Sequence, residues 1–371
     1  MNDALGIINF EGRNVHIAGM DEFRPVPAIS FLGRYRIVDF MVSNMTNSGI
    51  ENIKVMIKDN PRSLIEHMRT GTQYNINSKR GQMQILYSDT HEDSSIYHHD
   101  VNAMLQNMQA FEEASEDYVV IAPSYMIYIL DIRKVLAQHV GSGADVTVVY
   151  HPTAHLNSYI GCQCVDISDT GRVTGIREIR GQSTANNKVM LECYVLARPL
   201  FIKLVQEASA LSSLYDFKDY LSAMSDVLNI RGFMYEGYVG CLNSFNAYYR
   251  INMEMIDHER AKNLFHSDWP IYTMTNDSAP AFYTKEAHVK NCLIANGCQI
   301  QGDLENCILG RGVKIGRGCI IRNALILPKT SIGDFTHIEY AVVDKHVVME
   351  HKKEVIGTVR KIAYIKRRDR C

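Results

Sequence analysis

The last quarter of the chain repeats apolar residues every six positions, a spacing that very few folds accept. Two series share it: Leu309, Ile315, Ile321, Leu327 and Ile320, Ile326, Ile332, Ile338. This period fits neither the turn of an α-helix nor the alternation of a hairpin strand, whereas a parallel β-helix stacks each short strand on the preceding coil at such a repeat. We therefore predict a parallel β-helix over residues 285–371, with Cys292, Cys298 and Cys319 as small residues in its core.

The rest of the chain alternates short apolar runs with amphipathic segments. Runs rich in β-branched residues predict strands at 4–8, 53–57, 84–87, 118–121 and 146–150. Amphipathic segments predict helices at 39–48, 61–68, 102–111 and 132–139, the last with Asp131 as its N-cap. This alternation indicates an α/β fold with a mostly parallel sheet, which binds ligands at the carboxyl ends of its strands. We predict this domain over residues 1–244 and a helical linker over 245–284.

The composition limits the partners and the location of the protein. With 39 basic and 41 acidic side chains the formal net charge is −2, which gives no reason to expect nucleic acid or an anionic membrane as a partner. The most apolar stretch, 118–132, contains Pro123 and Asp131 and is too short to span a bilayer. Nine scattered cysteines, and an N-terminus without the basic residues of an export signal, predict free thiols in a cytoplasmic protein.

A long motif follows the first predicted strand. Residues 31–44 read Phe-Leu-Gly-Arg-Tyr-Arg-Ile-Val-Asp-Phe-Met-Val-Ser-Asn, and Asn-Ser-Gly-Ile follows at 47–50. This block resembles the Phe-Gly-Gly-Lys-Phe-Arg-Ile-Ile-Asp-Phe segment of the ADP-glucose pyrophosphorylases (glucose-1-phosphate adenylyltransferases), and weaker similarity covers nearly the whole chain. The resemblance implies a Rossmann-like nucleotidyltransferase domain followed by a left-handed parallel β-helix of hexapeptide repeats. In that family ATP and glucose 1-phosphate react with release of pyrophosphate, whose charge Mg²⁺ and basic groups neutralise.

The positions that match the family's catalytic groups hold unsuitable residues. Gly12 is the one glycine left of the phosphate-binding loop, Tyr125 and Cys241 stand at the two metal-binding aspartates, and Val26 and Ile179 stand at two lysines. A phenol and a thiol are poor ligands for Mg²⁺, which prefers oxygen anions. Such losses together would slow the reaction roughly 10⁶-fold. The resemblance therefore implies no catalytic residue and no metal or other cofactor in this chain.

Other matching positions keep residues that suit binding. Gly161 and Glu178 match sugar-facing positions and imply residual substrate binding. Arg24, Arg34 and Arg36 match basic positions of the family's effector site, which binds sugar bisphosphates and nucleotides between the two domains. The arginine fork suits phosphate because it donates two parallel hydrogen bonds. The alternative is that these are surface arginines paired with acids.

The resemblance and the missing catalytic groups together predict a non-catalytic regulatory subunit for glycogen synthesis. It would assemble with the catalytic paralogue, in a heterotetramer, and Mg²⁺ would belong to that partner. Three alternatives remain: an active nucleotidyltransferase with metal on Asp89 or Asp100, a stand-alone sensor of sugar phosphates, or a β-helix acyltransferase using His337 or His346. The polar loop from His91 to Asp100 is either solvated or a metal site.

Overall fold

The computed structural model describes residues 3–10, 15–17, 19–57, 60–69, 71–77, 79, 81–87, 99–181, 187–212 and 216–369. They form an α/β domain followed by a parallel β-helix, which confirms the predicted fold class. The strands of the first domain are β1 (Ala4–Asn9), β2 (Ser30–Phe31), β3 (Tyr35–Arg36), β4 (Asn52–Ile57), β5 (Gln82–Tyr87), β6 (Tyr118–Pro123), β7 (Met126–Ile127), β8 (Val146–Pro152), β9 (Gln163–Ile167), β10 (Val173–Glu178), β11 (Lys188–Ala197), β12 (Ile230–Met234) and β13 (Gly240–Cys241). The helices are α1 (Ile37–Asn47), α2 (Arg62–Met68), α3 (Asp100–Gln106), α4 (Met108–Glu112), α5 (Ile132–Ser142), α6 (Arg198–Leu211), α7 (Phe217–Ala223), α8 (Phe245–Glu254) and α9 (His258–Ala261).

Nine of these strands form one sheet. Its main path runs β10-β9-β11-β6-β1-β4-β5, and β8 joins β12 to β11. β10 and β11 run antiparallel to their neighbours, so the other seven strands point in one direction. The predicted, mostly parallel sheet is confirmed. β1, β4 and β6 are buried along nearly their whole length, as expected where both faces of a parallel sheet are covered.

Helix boundaries follow local signals in the sequence. The carboxylate of Asp131 accepts a hydrogen bond from the N–H of Arg133, which caps the start of α5 as predicted. Helix α5 ends at Gly143, whose φ of 61° lies in the left-handed region that glycine adopts without strain. The single helix predicted over 102–111 is wrong in one respect: α3 and α4 are separate, because Asn107 (φ −104°, ψ 18°) leaves the helical region.

The β-helix begins shortly before its predicted boundary. The linker contains α8 and α9, and the first β-helix strand starts at Phe282. In chain order the strands are β14 (Phe282–Tyr283), β15 (His288–Lys290), β16 (Leu293–Ile294), β17 (Gln299–Ile300), β18 (Asp303–Leu309), β19 (Lys314–Ile315), β20 (Ile320–Ile326), β21 (Ser331–Ile332), β22 (His337–Val343), β23 (Val348–Met349), β24 (Glu354–Ile356) and β25 (Ala363–Ile365).

Successive coils of the β-helix stack in register. Asp303, Ile320, His337 and Glu354 are partners in neighbouring coils, 17 residues apart. The first of these coils is shorter, because His288 pairs with Asp303 after 15 residues. Three sides of six residues would need 18, so the sixfold period found in the sequence describes the sides of a coil but not its full length.

The β-helix interior consists of stacked columns of buried residues. One column is Ile300, Ile315, Ile332 and Met349. The cysteines inside this core are Cys298, Cys307 and Cys319, whereas Cys292 is partly exposed. Ile320, a member of one six-residue series, is 40% exposed, while Ile321 of the other series is fully buried. Side chains alternate between the two faces of a strand, so these neighbours cannot both point inward.

The two domains share a continuous apolar contact. Ile308, Leu325 and Val342 of the β-helix belong to the same buried cluster as Tyr248 of α8 and the face of the sheet that α1 covers. The hydroxyl of Tyr249 donates to the carbonyl oxygen of Asn323 at 2.7 Å. In the part of the chain that the structure describes, no helix has the length and apolar character needed to cross a membrane.

Candidate functional site

Among the described residues, the side chains at the carboxyl ends of β1 and β6 enclose only a very small cavity. These strands end side by side at Asn9 and Pro123, at the edge where sheets of this kind bind ligands. The remaining cavity measures about 10 Å³ and is lined by Asn9, Phe10, Asp100, Pro123, Glu192, Tyr194, Asp216 and Lys218. A space of roughly 10–15 Å³ holds one water molecule. The cavity that these described residues enclose is therefore too small for a nucleotide or a sugar phosphate.

The two positions assigned to the metal aspartates lie together beside this cleft. Cys241 of β13 pairs with Met126 of β7, next to Tyr125. The Sγ atoms of Cys162 and Cys241 are 3.6 Å apart, and the Tyr125 hydroxyl oxygen lies 3.9 Å from Cys162 Sγ. All three side chains are buried. The structure thus brings the two positions into one small cluster, which we call the thiol–phenol cluster.

The thiol–phenol cluster does not suit a magnesium ion. Burial raises the pKa of Tyr125 well above its ordinary value, and a hydrogen bond with Cys162 together with burial does the same for the pKa of Cys241. Both groups are therefore neutral near pH 7, whereas Mg²⁺ prefers carboxylate oxygens. Within the described ranges, no group of three or more His, Cys, Asp or Glu side chains is placed to hold a metal ion.

The other catalytic and sugar-facing positions fall into two groups. Ile179 is buried, its N–H donates to the carbonyl of Cys162, and its own carbonyl accepts from the N–H of Gly161. These two positions therefore adjoin the thiol–phenol cluster. Glu178 forms an ion pair at the surface, with 2.8 Å between its Oε2 and Arg180 Nε, while Val26 is fully buried in a 3-10 turn (Val26–Ala28). Gly12 lies outside the described residues.

Glu192, which the sequence reasoning missed, fills the cleft. Its Oε1 accepts hydrogen bonds from the Tyr125 hydroxyl at 2.7 Å and from Lys218 Nζ at 3.1 Å. Strand β11 has an irregular register between Met190 and Tyr194, a kind of bulge that redirects side chains. The available signal in the sequence was an acidic residue inside the apolar run 189–196, where a buried charge needs a partner.

Asp100, an alternative metal ligand, has both carboxylate oxygens engaged by protein donors. Oδ2 accepts from the Asn9 amide at 2.6 Å, and Oδ1 accepts from the N–H of Phe217 at 2.7 Å. Burial, followed by the charge of Asp216, raises the pKa of Asp100 to about 7. Asp216 Oδ1 itself lies 3.0 Å from His99 Nδ1. This carboxyl thus belongs to a buried polar network that connects β1, α3 and α7.

The remaining residues considered from the sequence are divided between the β-helix and the undescribed loop. Asp89 and His91 lie outside the described residues. His337 begins β22, next to Ile320 and Glu354 in the ladder. His346 lines a pocket between the two domains, where burial and the nearby Lys345 lower its pKa.

That pocket, of about 220 Å³, is strongly basic, and we call it the interdomain basic pocket. Its lining includes one carboxylate, from Glu66, and five cationic side chains: Arg34, Arg36, Arg311, Lys329 and Lys345. Two of the three predicted effector arginines therefore line one pocket. The β-helix supplies the other three cations, which the sequence reasoning missed because no local pattern connects residue 34 with residues 311–345.

The cations of the interdomain basic pocket repel one another. Arg36 Nη1 donates to the carbonyl of Ala28 at 2.7 Å and to the hydroxyl of Ser30 at 2.8 Å, which fixes its guanidinium group. Burial, then the charge of Arg24, lowers the pKa of Arg36 to about 10. Burial, then Arg36 and Arg24, lowers the pKa of Lys345 to about 7. A bound anion would favour the charged form of each group.

Arg24 is not among the residues that line this pocket. Its side chain is 1% exposed, and Nη2 donates to Asp344 Oδ1 at 2.7 Å. Asp344 is fully buried and also accepts from the hydroxyl of Tyr364. The pair connects the first domain to the β-helix, so Arg24 is neither a surface arginine nor part of the pocket wall. Its role in effector binding stays a prediction.

Comparison with known proteins gives the family. The nucleotidyl transferase family matches residues 22–255, and the GlmU-like C-terminal hexapeptide family matches residues 279–362. The glycogen biosynthesis protein GlgD of Geobacillus stearothermophilus is 31% identical over 86% of this chain and 83% of its own length. GlgD of Bacillus subtilis is 28% identical over 96% and 94%, and the glucose-1-phosphate adenylyltransferase of Fervidobacterium nodosum is 28% identical over 94% and 85%. The chain therefore belongs to the nucleotidyl transferase family, in the group that contains the glucose-1-phosphate adenylyltransferases and the GlgD proteins.

Proposed function

We propose that this chain is a non-catalytic regulatory subunit of glucose-1-phosphate adenylyltransferase, which assembles with the catalytic paralogue and modulates it in glycogen biosynthesis. The observation that carries the proposal is the thiol–phenol cluster at the two metal positions. The pathway is supported by the names of two relatives, which are glycogen biosynthesis proteins.

The charge of the filled cleft also argues against catalysis. Adenylyl transfer from ATP needs positive charge where pyrophosphate departs. The cleft instead places three carboxylates, from Asp100, Glu192 and Asp216, around the single lysine of its lining, Lys218. This excess of negative charge would repel both ATP and pyrophosphate. We therefore assign no catalytic residue and no Mg²⁺ to this chain, and we expect the metal in the catalytic partner.

The interdomain basic pocket supports a regulatory role. Five basic side chains with one carboxylate in the same lining make the pocket net positive. Arginine and lysine side chains bind phosphate groups through charge-assisted hydrogen bonds. Because the pocket lies between the domains, an effector with phosphate groups would contact both domains. Its binding could change the relative position of the surfaces that a partner subunit contacts.

The first coil of the β-helix offers a surface for assembly. Within the described residues, β14 pairs with β17 alone and β15 with β18 alone, so each has a free edge. Phe282, Tyr283 and Val289 on these strands are 61%, 46% and 39% exposed. Free strand edges that carry large apolar side chains favour pairing with another chain. We propose that the catalytic subunit covers this coil.

Co-expression with the catalytic paralogue tests the proposal. ADP-glucose formation would be measured for the catalytic subunit alone, for this chain alone and for the co-purified complex. We expect no Mg²⁺-dependent pyrophosphate release from this chain and a changed rate or effector response in the complex. Rapid synthesis of ADP-glucose by this chain alone would overturn the proposal and favour an active enzyme.

Variants of the interdomain basic pocket test the regulatory part separately. Arg36→Ala combined with Lys345→Met should weaken the response of the complex to phosphate-bearing effectors. Lys352→Met, at an exposed lysine outside the lining, is the matched control. An unchanged response in the pocket variant would contradict the assignment. If an effector stabilises the isolated chain against heat but has no effect on the complex, a stand-alone sensor is favoured instead.

A further inference from the structure

Glu192 has a backbone conformation that ordinary side chains avoid. Its φ is 50°, in the left-handed region that favours glycine. It lies where β11 loses its regular pairing with β8, between Met190 and Tyr194. Strained residues persist where surrounding contacts fix them, and they cluster at ligand sites. Hydrogen bonds to the carboxylate of Glu192 hold the residue in this conformation.

Those contacts are the ones that a phosphate oxygen would make. A single carboxylate oxygen, Oε1, accepts from Lys218 Nζ at 3.1 Å and from the Tyr125 hydroxyl at 2.7 Å. The side chains of Glu192 and Lys218 are 11% and 14% exposed. Burial alone would lower the pKa of Lys218, but the charges of Glu192 and Asp216 raise it above its ordinary value. The lysine is thus a buried, charged donor whose acceptor comes from the chain itself.

A further polar group faces the same cavity without a partner. Tyr194 is 3% exposed and lines the cavity, and its hydroxyl has no hydrogen-bond partner among the described residues. The same holds for Oδ1 of Asn9, which also lines the cavity. Buried polar groups are normally paired. A bound anion would accept a hydrogen bond from the Tyr194 hydroxyl, whereas Asn9 Oδ1 is itself an acceptor and is suited only to a donor.

We propose that the cleft is a masked anion-binding site and that the carboxylate of Glu192 is its built-in occupant. Lys218 and Tyr125 hold this carboxylate where they would otherwise hold the phosphate group of a phosphate ester. The inference deepens the proposed non-catalytic function and rests on it, because it explains why the cleft of such a subunit is closed to substrate. It concerns binding and requires no catalytic step.

The other carboxylates of the cleft do not compete for Lys218 in the same way. Asp100 is held by Asn9 and the N–H of Phe217, and Asp216 lies next to His99. They still add negative charge near an incoming anion. Binding should therefore be measured at about pH 6, below the pKa of about 7 that burial gives Asp100.

The test compares four full-length variants with the unchanged protein. Glu192→Gly removes the carboxylate and suits the left-handed backbone, and Glu192→Asn does so with a short neutral side chain that also tolerates this conformation. Glu192→Gln keeps the size of the plug. Glu192→Gly with Lys218→Met removes the cation as well. Inorganic phosphate is the probe, and its binding is measured by calorimetry.

We expect Glu192→Gly, or Glu192→Asn if the glycine variant does not fold, to gain about one phosphate per chain relative to the unchanged protein. The gained binding should weaken at least tenfold with Lys218→Met and should be absent in Glu192→Gln. Phosphate bound at the interdomain basic pocket is common to all variants and cancels in the comparison. No gain in folded Glu192→Gly or Glu192→Asn, a gain that survives Lys218→Met, or an equal gain in Glu192→Gln overturns the inference. These results do not test the proposed function, which is tested separately by the rate assay on the unchanged chain.

Discussion

Asp344 occupies a buried position between the two domains, and its carboxylate forms an ion pair with Arg24. Its Oδ1 accepts from Arg24 Nη2 at 2.7 Å and from the N–H of Lys345 at 2.6 Å, and its Oδ2 accepts from the Tyr364 hydroxyl at 2.7 Å. The two side chains of the pair are 1% and 0% exposed. Asp344→Asn keeps the size of the side chain but removes the charge that compensates Arg24.

The magnitude follows from what is left behind. Nε and Nη1 of Arg24 already have no hydrogen-bond partner among the described residues, so the neutral variant leaves a buried guanidinium without compensation. Removal of one partner from a buried ion pair typically costs about 3–5 kcal/mol. We expect Asp344→Asn to lie near the lower end, about 3 kcal/mol, because the Asn oxygen still accepts a hydrogen bond.

Urea unfolding followed by fluorescence of Trp269, the one tryptophan of the chain, measures this cost. Trp269 donates from Nε1 to Asn44 Oδ1 and so reports on the contact between linker and first domain. The matched control is Glu66→Gln, in an Arg62–Glu66 pair whose side chains are 90% and 63% exposed. Because solvent screens an exposed pair, this variant should cost much less than Asp344→Asn. If Asp344→Asn costs no more than this control, the buried pair is not what stabilises the interface.

Three further outcomes are expected. In the β-helix, Ile321→Ala should lower the free energy of urea unfolding by about 2–5 kcal/mol because it leaves a cavity. Ile320→Ala, at the partly exposed neighbour, should change it by about 0.5 kcal/mol or less. Equal effects of the two variants would contradict the described register. Sulfate binding at the interdomain basic pocket, measured by calorimetry, should weaken as the pH rises through about 7. The reason is that Lys345, whose pKa is lowered to about 7 by burial, loses its proton. Lys345→Arg should flatten this pH profile, and a profile that this variant leaves unchanged would exclude Lys345 as its source. Phe282→Asp should reduce co-purification with the catalytic paralogue while Val359→Asp, at a 74% exposed residue away from the first coil, should not; retained assembly in Phe282→Asp would assign the interface elsewhere.

Much of the fold could be predicted from local sequence patterns. The strands β1, β4 and β6 are short apolar runs, and buried parallel strands need apolar residues on both faces. Asp131 caps α5 because a helix start needs an acceptor for its free N–H groups. The six-residue spacing did not distinguish exposed Ile320 from buried Ile321, because both series have the same spacing. The helical period over 102–111 did not reveal the break at Asn107, because one non-helical residue hardly changes the average spacing of the apolar positions.

The candidate site divides in a similar way. The residues at positions 125 and 241 could be judged from the sequence, because a phenol and a thiol are unsuitable for Mg²⁺ wherever they lie. Their contact through Cys162 could not, since the three residues come from separate loops and strands. The same applies to Glu192, whose meaning depends on Lys218 lying within hydrogen-bond distance.

By itself the sequence determined the element types, the β-helix and the chemical character of each position, because backbone periodicity and side-chain chemistry are local properties. Tertiary structure alone decided which charges meet. Arg24 and Asp344 are 320 residues apart in the chain, and the cations of the interdomain basic pocket come from both domains. Such meetings depend on the path of the whole chain, and the free energy of a buried charge depends on the partner that this path provides.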